Sequence, residues 1–545
     1  MSGVDMSILL ILVALALVLM IVAAVQRSLS KGRQPEAGGR GDGADIIAYL
    51  VLALAMGVAG FALANLASIA FPGDRFVFDP GEEVATALAA LVVSTPFVFF
   101  FWRRQARRRV SFPRSAGWTL YLCLIEAVFL TAFVVSASRF VSGLLGGDST
   151  SSWTGALVFG AIVVFHEYAV RATPPRSDAA ELRRVIGSAI SLGAAAAGLA
   201  GTLNGVLELG YETLGATTRD LGFDPWLGML IVATPIWWYR WLTPWESEPD
   251  TPRISWTIAV CVIALAVALG AATSILVMVL QFMVAETPPA GSHFETLPVG
   301  LALTATGLIV WQVHRRGLGS AKEVSRHVYQ YAMASIALIT AVIMLVLLTV
   351  AAFDADMIVG GGIADVVAFA TTLLAALAVW LWFDRRAGRV GGEGRALSWP
   401  RRIYTLGLGG AFALVAAGAL ITTLFILLRR LLVDDAQGSI LVPASILAYT
   451  GLAAWYLLAG YFRERGTLPP VDYIAPFPVM IVCSHPGMIA TRFPEEARLR
   501  VIYRDDQEGV IGDEMADEIV ATVANRASLV WVDETGFRVA PMRAT

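Results

Sequence analysis

Apolar residues run along this chain in blocks, each long enough to cross a lipid bilayer. Thirteen occur, near 7–25, 46–71, 83–102, 116–145, 153–171, 185–209, 223–242, 254–284, 297–313, 328–352, 363–383, 403–432 and 438–462. A spanning helix needs about 20 apolar residues. The pattern therefore predicts an all-α polytopic membrane protein with about thirteen transmembrane helices. The polar segments between the blocks are of two kinds. Those at 103–109, 171–177, 314–323 and 384–395 are rich in Arg, and those at 146–152, 285–296 and 354–362 nearly lack it. The two kinds alternate after the first helix. Basic residues are retained on the cytoplasmic side, so the Arg-rich loops are read as inside. The N-terminus is then outside and the C-terminal tail cytoplasmic. Arg429 and Arg430 break the pattern at an outer helix end, from which both can snorkel to headgroups. The first block follows a leader with no basic residue and is itself followed by Arg27, Lys31, Arg33 and Arg40. That order fits an uncleaved helix better than a signal peptide.

The second helices of successive pairs end alike, with an aromatic residue, a short gap and then charge. Phe99, Phe165, Trp238, Trp311, Trp380 and Trp455 mark six such ends, at a period of about seventy residues. First helices share an opening too, as in RHVYQY at 326–331 and RRIYTL at 401–406. One helical hairpin used six times accounts for both features, with units near 45–110, 111–178, 179–252, 253–323, 324–399 and 400–466. Residues 1–44 hold the first helix and a basic loop, and 467–545 a Pro-rich linker and the tail. The six aromatics are read as interfacial anchors, since Trp and its kin favour the membrane–water boundary.

At these helix ends the chain resembles a bacterial membrane family, domain of unknown function 5671. Its unit is a pair of transmembrane helices, the second closing on a Pro-Leu-Trp-Trp-type stretch before basic residues. The stretch at 234–241 is the nearest match and that at 95–104 the next. The copy at 153–171 departs, having no Trp near its end and carrying His166 and Glu167. The resemblance covers most of 45–466. It implies a fold of repeated transmembrane hairpins and no particular activity.

Composition agrees with the blocks: 57% of the 545 residues are hydrophobic, 15% are charged, and the mean hydropathy is +0.69. Lys31 and Lys322 are the only lysines among 40 basic residues, the mark of a high-GC genome. After about residue 465 the chain turns polar. Strands are expected near 479–484, 498–504, 528–532 and 537–541, with a helix near 513–525 whose Met515, Ile519 and Val523 share a face. That makes a small cytoplasmic α/β domain. It holds more Asp and Glu than Arg, which argues against a nucleic-acid partner.

Sequence motifs for catalysis, metal or cofactor binding do not occur, so no cofactor and no enzyme activity are expected. Cys483 and His485 stand close but without a catalytic context. Charges inside spans carry more information, because each is costly in hydrocarbon. Glu126 falls about ten residues into the fourth span, Arg139 toward the outer end of that span, and His166 near the cytoplasmic end of the fifth. By helical rise Glu126 stands near mid-membrane, and a Glu126–His166 pair would suit a proton relay. Two readings stay open. The leading one is a non-enzymatic membrane scaffold or anchor that presents its tail and binds lipid, other membrane proteins or itself. The rival is a transporter or channel built on Glu126, His166 and Arg139. A polar cavity would favour the rival, and closed apolar packing the scaffold.

Overall fold

The structure, a computed structural model, describes residues 42–70, 80–111, 116–146, 153–171, 178–212, 223–242, 252–284, 289–319, 323–353, 362–389, 399–432, 439–466, 477–484, 489, 493, 497–503, 511–523, 528–533 and 536–541. The expected first helix at 7–25 and the linker at 467–476 lie outside the described residues. The chain divides into two compact units, Met1–Tyr461 and Phe462–Thr545.

In the first unit every apolar block from 46 onward is helical. The helices are α1 (Asp42–Ala70), α2 (Pro80–Ser111), α3 (Ala116–Ile125, a π-helical turn Glu126–Leu130, then Thr131–Gly146), α4 (Trp153–Arg171), α5 (Asp178–Glu212) and α6 (Phe223–Leu242). They continue with α7 (Pro252–Val284), α8 (Leu297–Gly319), α9 (Glu323–Phe353) and α10 (Ile363–Arg389). The last two are α11 (Trp399–Arg402, a second π-helical turn Ile403–Leu408, then Gly409–Leu432) and α12 (Leu441–Gly466). Among the described residues, eleven helices are long and apolar enough to cross a membrane. The sequence reading counted α6 as a further span. Its 20 residues carry Asp224, Arg240, Trp226, Trp237, Trp238 and Trp241, which dilute the apolar run below that standard.

From α1 to α10 hairpin partners pack together, and these five hairpins meet in one recurring way. Helix α1 packs on α3 and α4, α3 on α5 and α6, α5 on α7 and α8, and α7 on α9 and α10. The first helix of a hairpin thus touches both helices of the next. The apolar core follows the same order as a chain of local clusters. One joins Tyr49 and Leu52 of α1 to Tyr121 and Phe129 of α3 and Phe159 of α4. The next joins Leu130 and Val134 of α3 to Ala195 of α5 and Ala233 of α6. A later one joins Leu265, Leu338, Phe383, Phe412 and Leu457 from α7, α9, α10, α11 and α12. Nearest-neighbour burial of this kind is how repeated units stack. Close approach needs small residues where backbones cross. A Cβ on Gly198 of α5 would come within 2.6 Å of the Leu230 backbone nitrogen on α6, so that crossing has room only for hydrogen.

The second unit contains β1 (Phe477–Cys483), β2 (Ala497–Tyr503), α13 (Asp513–Val523), β3 (Ser528–Asp533) and β4 (Gly536–Pro541). The sheet order is β2-β1-β3-β4, with β1 parallel to β2 and β3, and β4 antiparallel to β3. Alternate strand residues point to opposite faces. Val479, Ile481 and Cys483 of β1 and Val530 and Val532 of β3 therefore share one face, and α13 covers it with Ala516, Ile519 and Val523. Met515 packs against that core while staying partly exposed. Gly536, with φ of 127°, follows the tight connection from β3 in a left-handed conformation that favours glycine.

Candidate functional site

Four charged side chains meet inside the first unit. Glu126 opens the π-helical turn of α3, a turn with one residue more than an α-turn that recurs at functional positions. It is 1% exposed. Arg183 of α5 donates from Nε to Glu126 Oε2 at 2.8 Å, and Arg240 of α6 donates from Nη2 to Oε1 at 2.6 Å. Arg240 also donates from Nη1 to Glu167 Oε2 of α4 at 2.7 Å. Arg183 Nη2 stands 3.0 Å from the same Glu167 oxygen, but off the hydrogen-bonding angle. Two carboxylates and two guanidiniums thus form a neutral ring across α3, α4, α5 and α6. Glu167 has further partners toward the rim: Arg171 donates Nε to Glu167 Oε1 at 3.2 Å and Nη2 to the Tyr239 hydroxyl.

The sequence builds this ring from local features. Glu167 and Arg240 each fall two residues after one of the six helix-end aromatics, Phe165 and Trp238, and so hold matching places with opposite charge. Gly187, one turn beyond Arg183 on α5, leaves space for the carboxylate: a Cβ there would come within 2.5 Å of Glu126 Oε1. A related pair links later hairpins. Arg401, in the RRIYTL opening of α11, lies 3.7 Å by Nη1 from Asp384 Oδ1 at the end of α10. Arg183 opens α5 with the same Arg-Arg pair. In both places a basic residue at the start of one hairpin meets an acidic residue at the end of the hairpin before it.

Of the residues singled out from sequence, Glu126 and Glu167 are in the ring. His166 is 1% exposed and engages both ring nitrogens: Nδ1 lies 2.8 Å from the Ile162 carbonyl and Nε2 2.7 Å from the Tyr121 hydroxyl. A carbonyl accepts only, so Nδ1 carries the proton and Nε2 accepts from Tyr121. Trp102 and Phe165 stand edge-on to the imidazole. Arg139 is exposed and follows Glu126 by thirteen residues along α3, about 20 Å by helical rise. It does not join the ring. Arg183 and Arg240 were the residues that sequence reasoning missed. Arg183 lay outside the apolar block taken to begin at 185, and Arg240 read as an ordinary interfacial cation.

The six aromatics divide. Phe99, Phe165, Trp238 and Trp455 are exposed. Trp311 and Trp380 are partly buried and donate from Nε1 to the hydroxyls of Tyr329 and Tyr404, at 3.0 and 2.9 Å. Those tyrosines occupy matching positions in the RHVYQY and RRIYTL openings, so one Trp–Tyr contact joins α8 to α9 and α10 to α11. An apolar groove of about 620 Å³ lies between α1 and α4, lined by Met56, Leu63, Leu157, Ala161 and Phe165 among others. Cys123, Cys261 and Cys483 are buried and unpaired with one another, and burial pushes the Cys483 thiol up. Among the described residues no group of three or more His, Cys, Asp or Glu side chains could hold a metal ion.

Residues 45–169 match the family model described as "Domain of unknown function (DUF5671)", in line with the resemblance noted at the helix ends. The match covers α1 to α4, the first two hairpins. No curated protein and no solved structure matches the chain.

Proposed function

We propose that this chain is a multi-pass protein of the bacterial plasma membrane and acts as a non-enzymatic scaffold. In this reading its six repeated hairpins hold the C-terminal domain at the cytoplasmic face and bind other membrane components or further copies of the chain. Eleven helices of spanning length support the membrane reading. So do the apolar side chains on their outer faces, such as Leu54 at 71%, Val92 at 70% and Leu414 at 76% exposure. In water such faces would drive aggregation, whereas in lipid they are at home.

The observation that carries the scaffold reading is the closure of the charge ring. A carrier keeps polar groups at a site that opens to water and to its substrate. Here both Glu126 oxygens are held by guanidinium groups, and both nitrogens of His166 are held by neighbours. Charge matched in this way ties hairpins together and leaves no evident site for a passenger. The recurring helix contacts support the same view, because they build an array rather than two halves that rock about a central site.

Orientation is the part most simply tested. A reporter enzyme active only in the periplasm, fused after Thr545, should stay silent, while one active only in the cytoplasm should work. Fusions in the segments 146–152 and 354–362 should give the reverse pattern. Periplasmic activity at Thr545 would overturn the cytoplasmic placement of the domain.

A further inference from the structure

We propose that the face of the C-terminal sheet opposite α13 docks on an anionic lipid surface, that of the membrane the helices cross; this rests on the multi-pass reading above. The strand registers set out that face row by row. Ile502 of β2, Val482 of β1, Trp531 of β3 and Arg538 of β4 lie side by side in one row. Arg500, Met480, Leu529 and Ala540 form the next. All eight point away from α13, since the alternate residues Leu499, Val501, Val479, Ile481, Val530, Phe537 and Val539 belong to the core that α13 covers.

The open face combines apolar and basic groups. Trp531 is 44% and Ile502 40% exposed, with the buried Val482 between them, and these two are the exposed large apolar side chains among the domain's described residues. Arg500 is exposed, and Arg538 keeps 80% exposure although Asp533 lies 3.9 Å away. Trp favours the headgroup boundary, and guanidinium groups bind phosphate through paired N–H donors. Aromatic and Arg side chains on one flat surface match an anionic bilayer interface.

Charge is also sorted between the two faces. Asp513, Glu514, Asp517 and Glu518 of α13 are all exposed, on the side opposite the arginines. Among the described residues, these four carboxylates sit a full layer behind the sheet, and Asp533 is the acidic residue on the face of Trp531. Salt screens charge over about 8 Å at physiological strength, so the nearer Arg500 and Arg538 dominate what a headgroup layer meets. The acidic helix would repel the same layer if the domain turned over. Cytoplasmic leaflets are anionic, and the sequence ties the domain to α12 through only residues 467–476. The lipid surface is thereby always close at hand.

The test uses the full-length chain in nanodiscs, either of phosphatidylcholine alone or with phosphatidylglycerol added. Ala540→Cys places a thiol on the open face, and Glu514→Cys places one on the helix face; the native cysteines are buried. Maleimide labelling at Ala540→Cys should slow severalfold in the anionic discs only, with Glu514→Cys labelled equally in both. Adding Arg500→Glu and Arg538→Glu should restore fast labelling at Ala540→Cys and leave Glu514→Cys unchanged, which shows the domain still folded. Equal, fast labelling of Ala540→Cys in both discs would overturn the proposal. Slow labelling in both would also overturn it, since protein and not anionic lipid would then cover the face. Alkaline carbonate separates the two readings: release of the full chain from native membranes overturns the multi-pass reading and docking together. Retention with composition-independent labelling overturns docking alone.

Discussion

Replacing Arg240 with Met should destabilise the helical unit by about 3–5 kcal/mol, because the change leaves buried carboxylate charge without its partner. Arg240 is 4% exposed and Glu126 1%, so water cannot replace the lost guanidinium. Both of its strong hydrogen bonds, to Glu126 Oε1 and Glu167 Oε2, disappear at once. The remaining ring would hold two anions against Arg183, with Arg171 pairing Glu167 only from the exposed rim. Thermal unfolding in detergent should show a transition many degrees lower than that of the parent protein. Adding Glu126→Gln to Arg240→Met restores the balance at one carboxylate and one guanidinium, Glu167 and Arg183. Much of the loss should then return, and the double-mutant cycle should report strong coupling between positions 126 and 240. Equal stability of the parent and Arg240→Met, or a double variant no better than the single one, would mean the ring contributes nothing to stability. A buried ion pair often stabilises little relative to a well-packed apolar pair. The expectation thus concerns a ring broken at one member, not a ring replaced as a whole.

Replacing Ile519 with Asp should unfold the C-terminal domain while the helical unit stays intact. Ile519 is 0% exposed at the centre of the α13–sheet core, among Val479, Ile481, Val530 and Val532. An unpaired charge in that position costs several kcal/mol, comparable with the whole stability of a small domain. Limited proteolysis of the variant should digest the region after about residue 477 rapidly, with the helical fragment still resistant. Undiminished protease resistance of the domain in the variant would contradict the two-layer arrangement.

Much of this architecture was legible in the sequence, for reasons that separate the readable from the hidden. Apolar blocks mark α1 to α5 and α7 to α12 because a helix long and apolar enough to span has one composition over a fixed length. In the tail, the strand and helix expected near 479–484 and 513–525 fall within two residues of the observed ends of β1 and α13, the helix marked by the shared face of Met515, Ile519 and Val523. Helix α6 was read as one more span because its Trp residues look apolar in a block, though they weaken its hydropathy. Neither π-helical turn has a signature in the apolar pattern.

The site was legible only in part. Glu126 stood out because a carboxylate inside an apolar block is costly. Its partners did not, because Arg183 and Arg240 lie near helix ends, where basic residues are routine. The estimate of mid-membrane depth took Ala116 as the membrane boundary. Glu126 in fact lies level with Arg183, five residues into α5, and Arg240, two from the end of α6, which places it toward one end of the bundle. The suggested contact with His166 rested on that same offset, whereas His166 spends its nitrogens on Tyr121 and Ile162. Replacing Glu126 with Gln bears on folding as well. With two guanidiniums directed at its oxygens, that change leaves Arg183 and Arg240 one anion short, and a loss of stability is expected.

Ion flux in proteoliposomes tests the central claim most directly. The parent protein and Glu126→Gln, each reconstituted with confirmed insertion, would be placed under an imposed pH gradient and membrane potential, and proton flux followed with an internal dye. A scaffold whose buried charges are closed upon one another should leak no faster than empty vesicles, in both forms. Proton flux that the parent adds and Glu126→Gln abolishes would contradict it, and would identify the ring as part of a conduction path.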